Sequence, residues 1–400
     1  MQPFGQVPDQ RIHALDVFRG MTIFLMVFVN EVAGIKNLPG QFYHLPAEAD
    51  GMTMVDWVFA GFLFIVGMSI PFSINQRIRK GDTLFQLFSH ILIRTLGLLI
   101  LGVFMVNAST GHHEASMALP IALWSLLIYP AAILIWNQYR GVPATRAWIL
   151  RSLGILLLIA LALLYRGGQD GSKGLSPQWW GILGLIGWAY LFSSLLYLLS
   201  RGRLLVLIAG LAFCTLIYTV GHTELSNQLA FLSWTRDSGG HATHTCIALC
   251  GMVLSLILFD TGNKWLGSRR VYPALGWAVL LLIAGMLLRP YFHIGKIPAT
   301  PSWGFYSSFF SVLAFLLIKW ISDLKKSTSW ASFFEPAGSN PLLTYIIPFI
   351  LWAFYRLFDF YPLPDEYRTG LTGVLFCILY SSAILWLVRI LNRMNIRLQL

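Results

Sequence analysis

Long apolar runs separated by short polar segments dominate the chain. Runs of roughly 18–22 residues fall at about 14–33, 53–75, 87–106, 117–137, 146–165, 178–199, 203–220, 242–260, 272–289, 304–322, 340–357 and 370–391. About twenty apolar residues make a helix long enough to cross a ~30 Å hydrocarbon layer. The pattern therefore predicts an all-α polytopic membrane protein of about twelve transmembrane helices, forming one integral-membrane domain over 1–400. The tightest separation is SRGR at 200–203; without a turn there, the count falls to eleven. Neither a short repeat nor likeness between the halves is visible, and low-complexity tracts and long linkers are lacking. Gly181, Gly184 and Gly187 recur every third residue in the sixth run, a spacing that lets helices approach closely.

Composition sharpens this picture. The chain has 400 residues, 56% hydrophobic and 11% charged. Soluble domains carry roughly twice that charged fraction. The net charge of +11 does not point to nucleic acid, because the basic residues are scattered through short loops as the positive-inside rule requires. With the N-terminus cytoplasmic, 20 of the 28 Lys and Arg fall on the inner side and 8 on the outer. That split predicts N-in and C-in termini, with the first loop on the outer side. The N-terminal segment lacks a cleavable signal pattern, so the first run is expected to remain as a helix. Four cysteines, Cys214, Cys246, Cys250 and Cys377, all sit in apolar runs and read as buried thiols.

The first loop gathers chemistry. NEVAGIKNLPGQFYHLPAEADGMTMVD, residues 30–56, joins the first two runs. Asn30 ends one run, Asp56 opens the next, and His44 lies between them. At ~1.5 Å rise per residue, Asn30 and Asp56 should lie within about 10 Å of one membrane face. A carboxylate inside a span usually faces a cavity or a partner, and Asp56 could fix the tautomer of a histidine ring. The plainer reading is a connecting loop.

Other positions are read the same way. Asp16 and Arg19, three apart in LDVFRG, share a helix face; they form a local ion pair with Arg19 snorkelling, or contact an anion at the inner mouth. PYFHIGKIPATPSWG, 290–304, carries Lys296, Thr300 and Ser302 in an outer loop that could line a vestibule. Ser339 and Asn340 open the eleventh run, as helix caps or as part of a site. His241, His244, Cys246 and Cys250 imitate a metal set, but their spacing is not that of established zinc motifs, so no metal is expected. Trp179, Trp180 and Trp303 suit an interfacial belt.

LDVFRG, the VFVN ending at Asn30, the loop histidine, DGMTMVDWVFAGFLFIVG, KIPATPSW and GSNPLLTY occur in that order. This series resembles the heparan-α-glucosaminide N-acetyltransferase family of transmembrane acyltransferases, on its bacterial side. The resemblance is strongest in the first ~110 residues. Departures exist: the loop is longer around His44, Ala49-Asp50 replaces Trp-Asn before Gly51, and Ala60 replaces a proline after Phe59. The resemblance implies acetyl transfer from acetyl-CoA, as co-substrate, to the amine of a glucosamine-type sugar. It implies His44 as base, Asp56 as orienting carboxylate and Asn30 as a donor to the oxyanion. Asp16, Arg19, Lys296, Thr300, Ser302 and Asn340, read from the residues themselves, are the candidate substrate or cofactor contacts. Direct transfer is preferred; an acetyl-imidazole intermediate stays open. The rivals are a secondary transporter of an amino sugar, an O-acyltransferase of a cell-surface glycan and an assembly subunit. The expected surroundings are a bacterial inner membrane with the His44 loop toward the periplasm. The partners are the bilayer, acetyl-CoA and an amino-sugar or glycan acceptor, with a homodimer left open.

Overall fold

A computed structural model describes residues 4–5, 7–8, 12–262, 269–325 and 329–400. Among them there are twelve helices of sixteen residues or more and no strand, only isolated bridges. In chain order they are α1 (His13–Val32), α2 (Met54–Arg79), α3 (Leu84–Ser109), α4 (Ile121–Trp136), α5 (Ala144–Leu164) and α6 (Gly181–Ser200). There follow α7 (Leu204–Gly221), α8 (Trp234–Phe259), α9 (Val271–Leu288), α10 (Pro301–Lys325), α11 (Pro341–Phe358) and α12 (Gly370–Arg393). Ten are long and apolar enough to cross a membrane. The others are α1, which carries Asp16, Arg19 and Glu31, and α4, with 16 residues. The protein is thus an all-α polytopic membrane protein.

The apolar runs match these helices one for one, and the differences lie at their ends. Pro120 stands at the N-cap of α4, which starts four residues later than the run that opens at 117; proline's fixed φ suits a helix start. In contrast α8 starts eight residues before its run, taking the polar segment WTRDSGGH into its first turns. SRGR does make a turn: Arg201 and Gly202 have φ of 49° and 73°, and the Gly202 amide closes on the Tyr197 carbonyl at 3.3 Å. Arg11, Lys264 and Lys326 of the charge count lie outside the described residues.

The chain divides into two compact units. The first comprises Met1–Thr22, Pro39–Thr95 and Ile186–Trp330. Its centre is α8, buried without a break from Ala242 to Leu258. Helix α2 crosses it at two opposed glycines: a Cβ on Gly67 would fall 1.7 Å from the Ala248 carbonyl oxygen, and one on Gly251 2.0 Å from that of Phe64. Without lipid-excluding hydrophobic force between helices, such close contact supplies the dispersion energy. Indole N–H groups tie the neighbours together. Trp57 donates to the Ser307 carbonyl and Ser311 Oγ, Trp277 to the Cys250 carbonyl and Trp303 to the Asp56 carbonyl, at 3.1–3.2 Å.

The second unit comprises Ile23–Leu38, Leu96–Leu185 and Ala331–Leu400. Phe104, Trp124, Ile128, Leu161 and Tyr165 belong to its core, and Trp124 Nε1 donates to the Leu161 carbonyl at 2.8 Å. Gly102 of α3 meets Gly184 of α6 so closely that a Cβ would lie 2.5 Å from the Gly184 amide. This is the close approach that the glycine spacing announces. Leu153, Leu156, Ile159 and Leu163 of α5 stay exposed, an apolar stripe of the kind a bilayer covers.

Candidate active site

The N-terminus of α2 is built by a capping box. Asp56 N–H donates to Thr53 Oγ1 at 3.3 Å, while Thr53 N–H donates back to Asp56 Oδ2 at 3.1 Å. The signature is the Thr-x-x-acid spacing of TMVD. Oδ2 also faces the Leu45 amide at 3.4 Å and Thr53 Oγ1 at 3.0 Å. That leaves Oδ1 for one partner, His44 Nδ1, at 2.7 Å. The Asp56 side chain is 2% exposed and that of His44 41%, so a buried carboxylate holds a ring that looks outward. An ionised carboxylate only accepts. Nδ1 therefore carries a proton, and in the neutral ring the lone pair is on Nε2.

A second loop, between α9 and α10, holds the first in place. Asp50 Oδ1 accepts from the Ile294 amide at 2.9 Å, and its other oxygen from Arg289 Nε at 3.0 Å. The Gly51 amide donates to the Ile294 carbonyl at 2.9 Å, and His293 Nε2 donates to the Ala47 carbonyl at 2.9 Å. The Ile294 amide, helped by the Arg289 guanidinium, holds the Asp50 carboxyl below the usual carboxylate range against the opposing effect of burial.

The same loop brings Lys296 to the histidine. Its Nζ lies 3.1 Å from His44 Nδ1 and 3.2 Å from Nε2. Near-equal distances to both ring nitrogens put Nζ over the imidazole face rather than in line with either nitrogen. Loss of solvent lowers the Lys296 pKa to about 8, with Asp56 pulling the other way.

Thr300 and Ser302 lie behind this contact and are buried. Thr300 Oγ1 accepts from the Gly295 amide at 3.0 Å, and Ser302 Oγ donates to the Phe292 carbonyl and meets that of His293 at 3.0 Å. Both hydroxyls shape the loop that carries Lys296. Asp16 and Arg19 form the ion pair that their spacing suggests, Oδ1 to Nη2 at 2.5 Å.

Asn30 and Asn340 belong to the second unit. Asn30 is exposed in the last turn of α1. Asn340 occupies the N-cap of α11 without a side-chain cap bond. Its amide instead donates to Asn392 Oδ1 and the Ile396 carbonyl and accepts from the Leu398 amide, at 2.9–3.2 Å. The capping expectation is therefore corrected: this side chain fastens the C-terminal segment. His244, one of the metal-like set, packs edge-on between the rings of Phe59 and Trp303.

The sequence reading missed Asp50, Arg289 and Thr53. Thr53 was legible through its capping box; the Asp50–Arg289 pair spans 239 positions and has no local signal. Beside Thr53 a cavity of about 410 Å³ is lined by Met52, Thr53, Met54, Trp57, Phe310 and Ala314. Its size is that of a small-molecule pocket, and one wall belongs to the threonine that braces Asp56.

Comparison with known proteins adds two findings. A family described as Domain of unknown function (DUF5009) matches residues 11–242. Heparan-alpha-glucosaminide N-acetyltransferase of Homo sapiens is 36% identical over 97 residues, 24% of this chain and 14% of that protein. The Mus musculus protein of the same name is 35% identical over 97 residues, with the same coverage. The chain thus matches only about a seventh of the length of these relatives.

Proposed function

The chain belongs to the DUF5009 family, and on that premise we propose that it is a membrane-embedded acetyltransferase moving an acetyl group from acetyl-CoA to the amine of a glucosamine-type sugar. The observation that carries the proposal is the 2.7 Å contact from Asp56 to His44 Nδ1, which leaves Nε2 basic and outward. The partial likeness to an N-acetyltransferase supports the choice of group transferred.

Chemistry follows from the geometry. An amino sugar's amine attacks the thioester carbonyl and must lose a proton. A histidine, ordinarily titrating near pH ~6.5, is suited to take it at neutral pH. His44 Nε2 accepts that proton while Asp56 steadies the imidazolium. Lys296, as ammonium, is placed to stabilise negative charge developing on the carbonyl oxygen. Asp16 and Arg19 are the proposed coenzyme A contacts within the same unit. Thr300 and Ser302 act through the Lys296 loop. The apolar cavity beside Thr53 suits the uncharged arm of the donor better than a sugar ring. Transfer is direct in this reading, in a bacterial inner membrane with the His44 loop toward the periplasm.

The test is transfer of labelled acetyl from acetyl-CoA to glucosamine by purified protein in detergent. His44→Ala, inserted and purified normally, should lose a factor of ~10²–10⁴ in turnover. Sugar uptake into proteoliposomes without acetyl transfer would replace the enzyme with a carrier.

A further inference from the structure

We propose that Lys296 is a self-acetylation site, whose modification by the donor thioester switches the active site off. The inference rests on the acetyl-CoA reading above and adds a modification and a form of regulation to it.

The placement carries it. An acceptor amine must come within hydrogen-bond reach of His44 Nε2 to lose its proton. Lys296 Nζ already lies 3.2 Å from that nitrogen. A thioester carbonyl positioned for the acceptor is therefore positioned for Lys296 too, with the advantage of an intramolecular reactant. The four-carbon stem is flexible, so a small rotation moves Nζ from the ring face into line with Nε2. The loop that carries Lys296 is fastened by Asp50, Arg289 and His293, so the amine stays near the base. The titratable groups facing Nζ are His44 and Asp56, while Arg289 and His293 on its own loop are engaged elsewhere. With a pKa of about 8, roughly a tenth of Lys296 is a neutral nucleophile at pH 7, against well under a thousandth for an ordinary lysine.

The step balances. Neutral Nζ attacks the thioester carbon, an N–C bond forms and the C–S bond breaks. The surplus amine proton passes to His44 Nε2 and then to the leaving thiolate, giving coenzyme A and an amide. The product has lost its positive charge and its basicity, and it occupies the space the acceptor amine needs.

Protein incubated with isotope-labelled acetyl-CoA and no acceptor, then digested for mass spectrometry, tests this. Lys296 should label at least ~10-fold faster than the exposed Lys36, Lys80 and Lys173. In a folded His44→Ala protein that excess should vanish. Activity toward glucosamine should decay with preincubation in step with labelling of Lys296. Labelling of Lys296 no faster than of the exposed lysines overturns the inference, whether or not glucosamine is acetylated. Rapid His44-dependent labelling without glucosamine transfer upholds it and removes only the acceptor.

Discussion

At the scale of single residues, the two oxygens of Asp56 have separate tasks, and this decides what its amide would do. Oδ2 faces the backbone donors of Thr53 and Leu45. In Asp56→Asn the carboxamide oxygen must take that side, which turns the NH₂ group toward His44 Nδ1. Nδ1 then has to accept, its proton moves to Nε2, and the base is lost although the ring is still held. Turnover should fall by at least ~10²-fold, close to the His44→Ala loss, because a wrong tautomer disables a histidine as a base. The double variant should be little worse than either single one, since members of one catalytic unit are not additive; fully additive losses would separate their roles. Lys296 sets up a conflict between stability and chemistry. Its pKa of about 8 lies below the ordinary ~10.4 of the unfolded chain, so between those values the unfolded state binds more protons and stability rises with pH. Lys296→Met should raise the thermal midpoint of the detergent-purified protein at pH 7, and the gap should close between about pH 8 and 10.5. A gap that widens over this window would refute the desolvated ammonium. Pairing of His44 with Asp56 was legible because both residues sit in one short loop with a capping signature. Lys296 over the ring was not, since 252 positions separate them and nothing local encodes the docking of two loops.

At the scale of elements, hydropathy marked every long helix because a bilayer makes length and apolarity a joint requirement. It was weaker at the ends. Helix α8 begins early because WTRDSGGH, though polar, continues the helix before its apolar part, and Thr235 and Gly239 are already buried there. Which faces meet is written only in small residues, and only after the neighbour is known. The crossing of α2 and α8 gives a sharp contrast. Gly67→Ala or Gly251→Ala places a methyl within 2.0 Å of a carbonyl oxygen, so the helices must part, at a cost of ~1–3 kcal/mol or more. Gly276 of α9 has nothing within 4 Å of its would-be Cβ, and Gly276→Ala should be neutral or gain up to ~1 kcal/mol from helix propensity. Thermal midpoints of the three variants in one detergent check this. Equal midpoints would mean that α2 and α8 do not touch through these glycines.

For the whole molecule, the sequence carries orientation in its charges and the structure carries sidedness in its lengths. Neither unit is a continuous stretch of chain, and the apolar runs look alike on either side of Thr95 or Leu185, so the division was not legible from hydropathy. Sidedness within the first unit follows from α2. Its 26 residues, Met54–Arg79, rise about 39 Å, more than the ~30 Å hydrocarbon thickness. Residues 44 and 80 flank its two ends and should lie on opposite membrane faces. The Lys296 ammonium over His44 places position 296 on the His44 face. The topology expected from the sequence puts Arg77, Arg79, Lys80, Arg201, Arg203, Arg269 and Arg270 on one side, against Arg236, Arg289 and Lys296 on the other. The positive-inside rule assigns the richer side to the cytoplasm. All four native cysteines are buried and can be replaced to give a silent background. A membrane-impermeant thiol reagent applied to intact cells should then label His44→Cys and Lys296→Cys, but Lys80→Cys and Arg269→Cys only after the membrane is opened. Labelling of 44 and 80 from one side would remove α2 as a span. Labelling of 80 and 269 from outside, with 44 and 296 protected, would keep the helix and invert the protein, moving the proposed chemistry to the cytoplasmic face where acetyl-CoA is made.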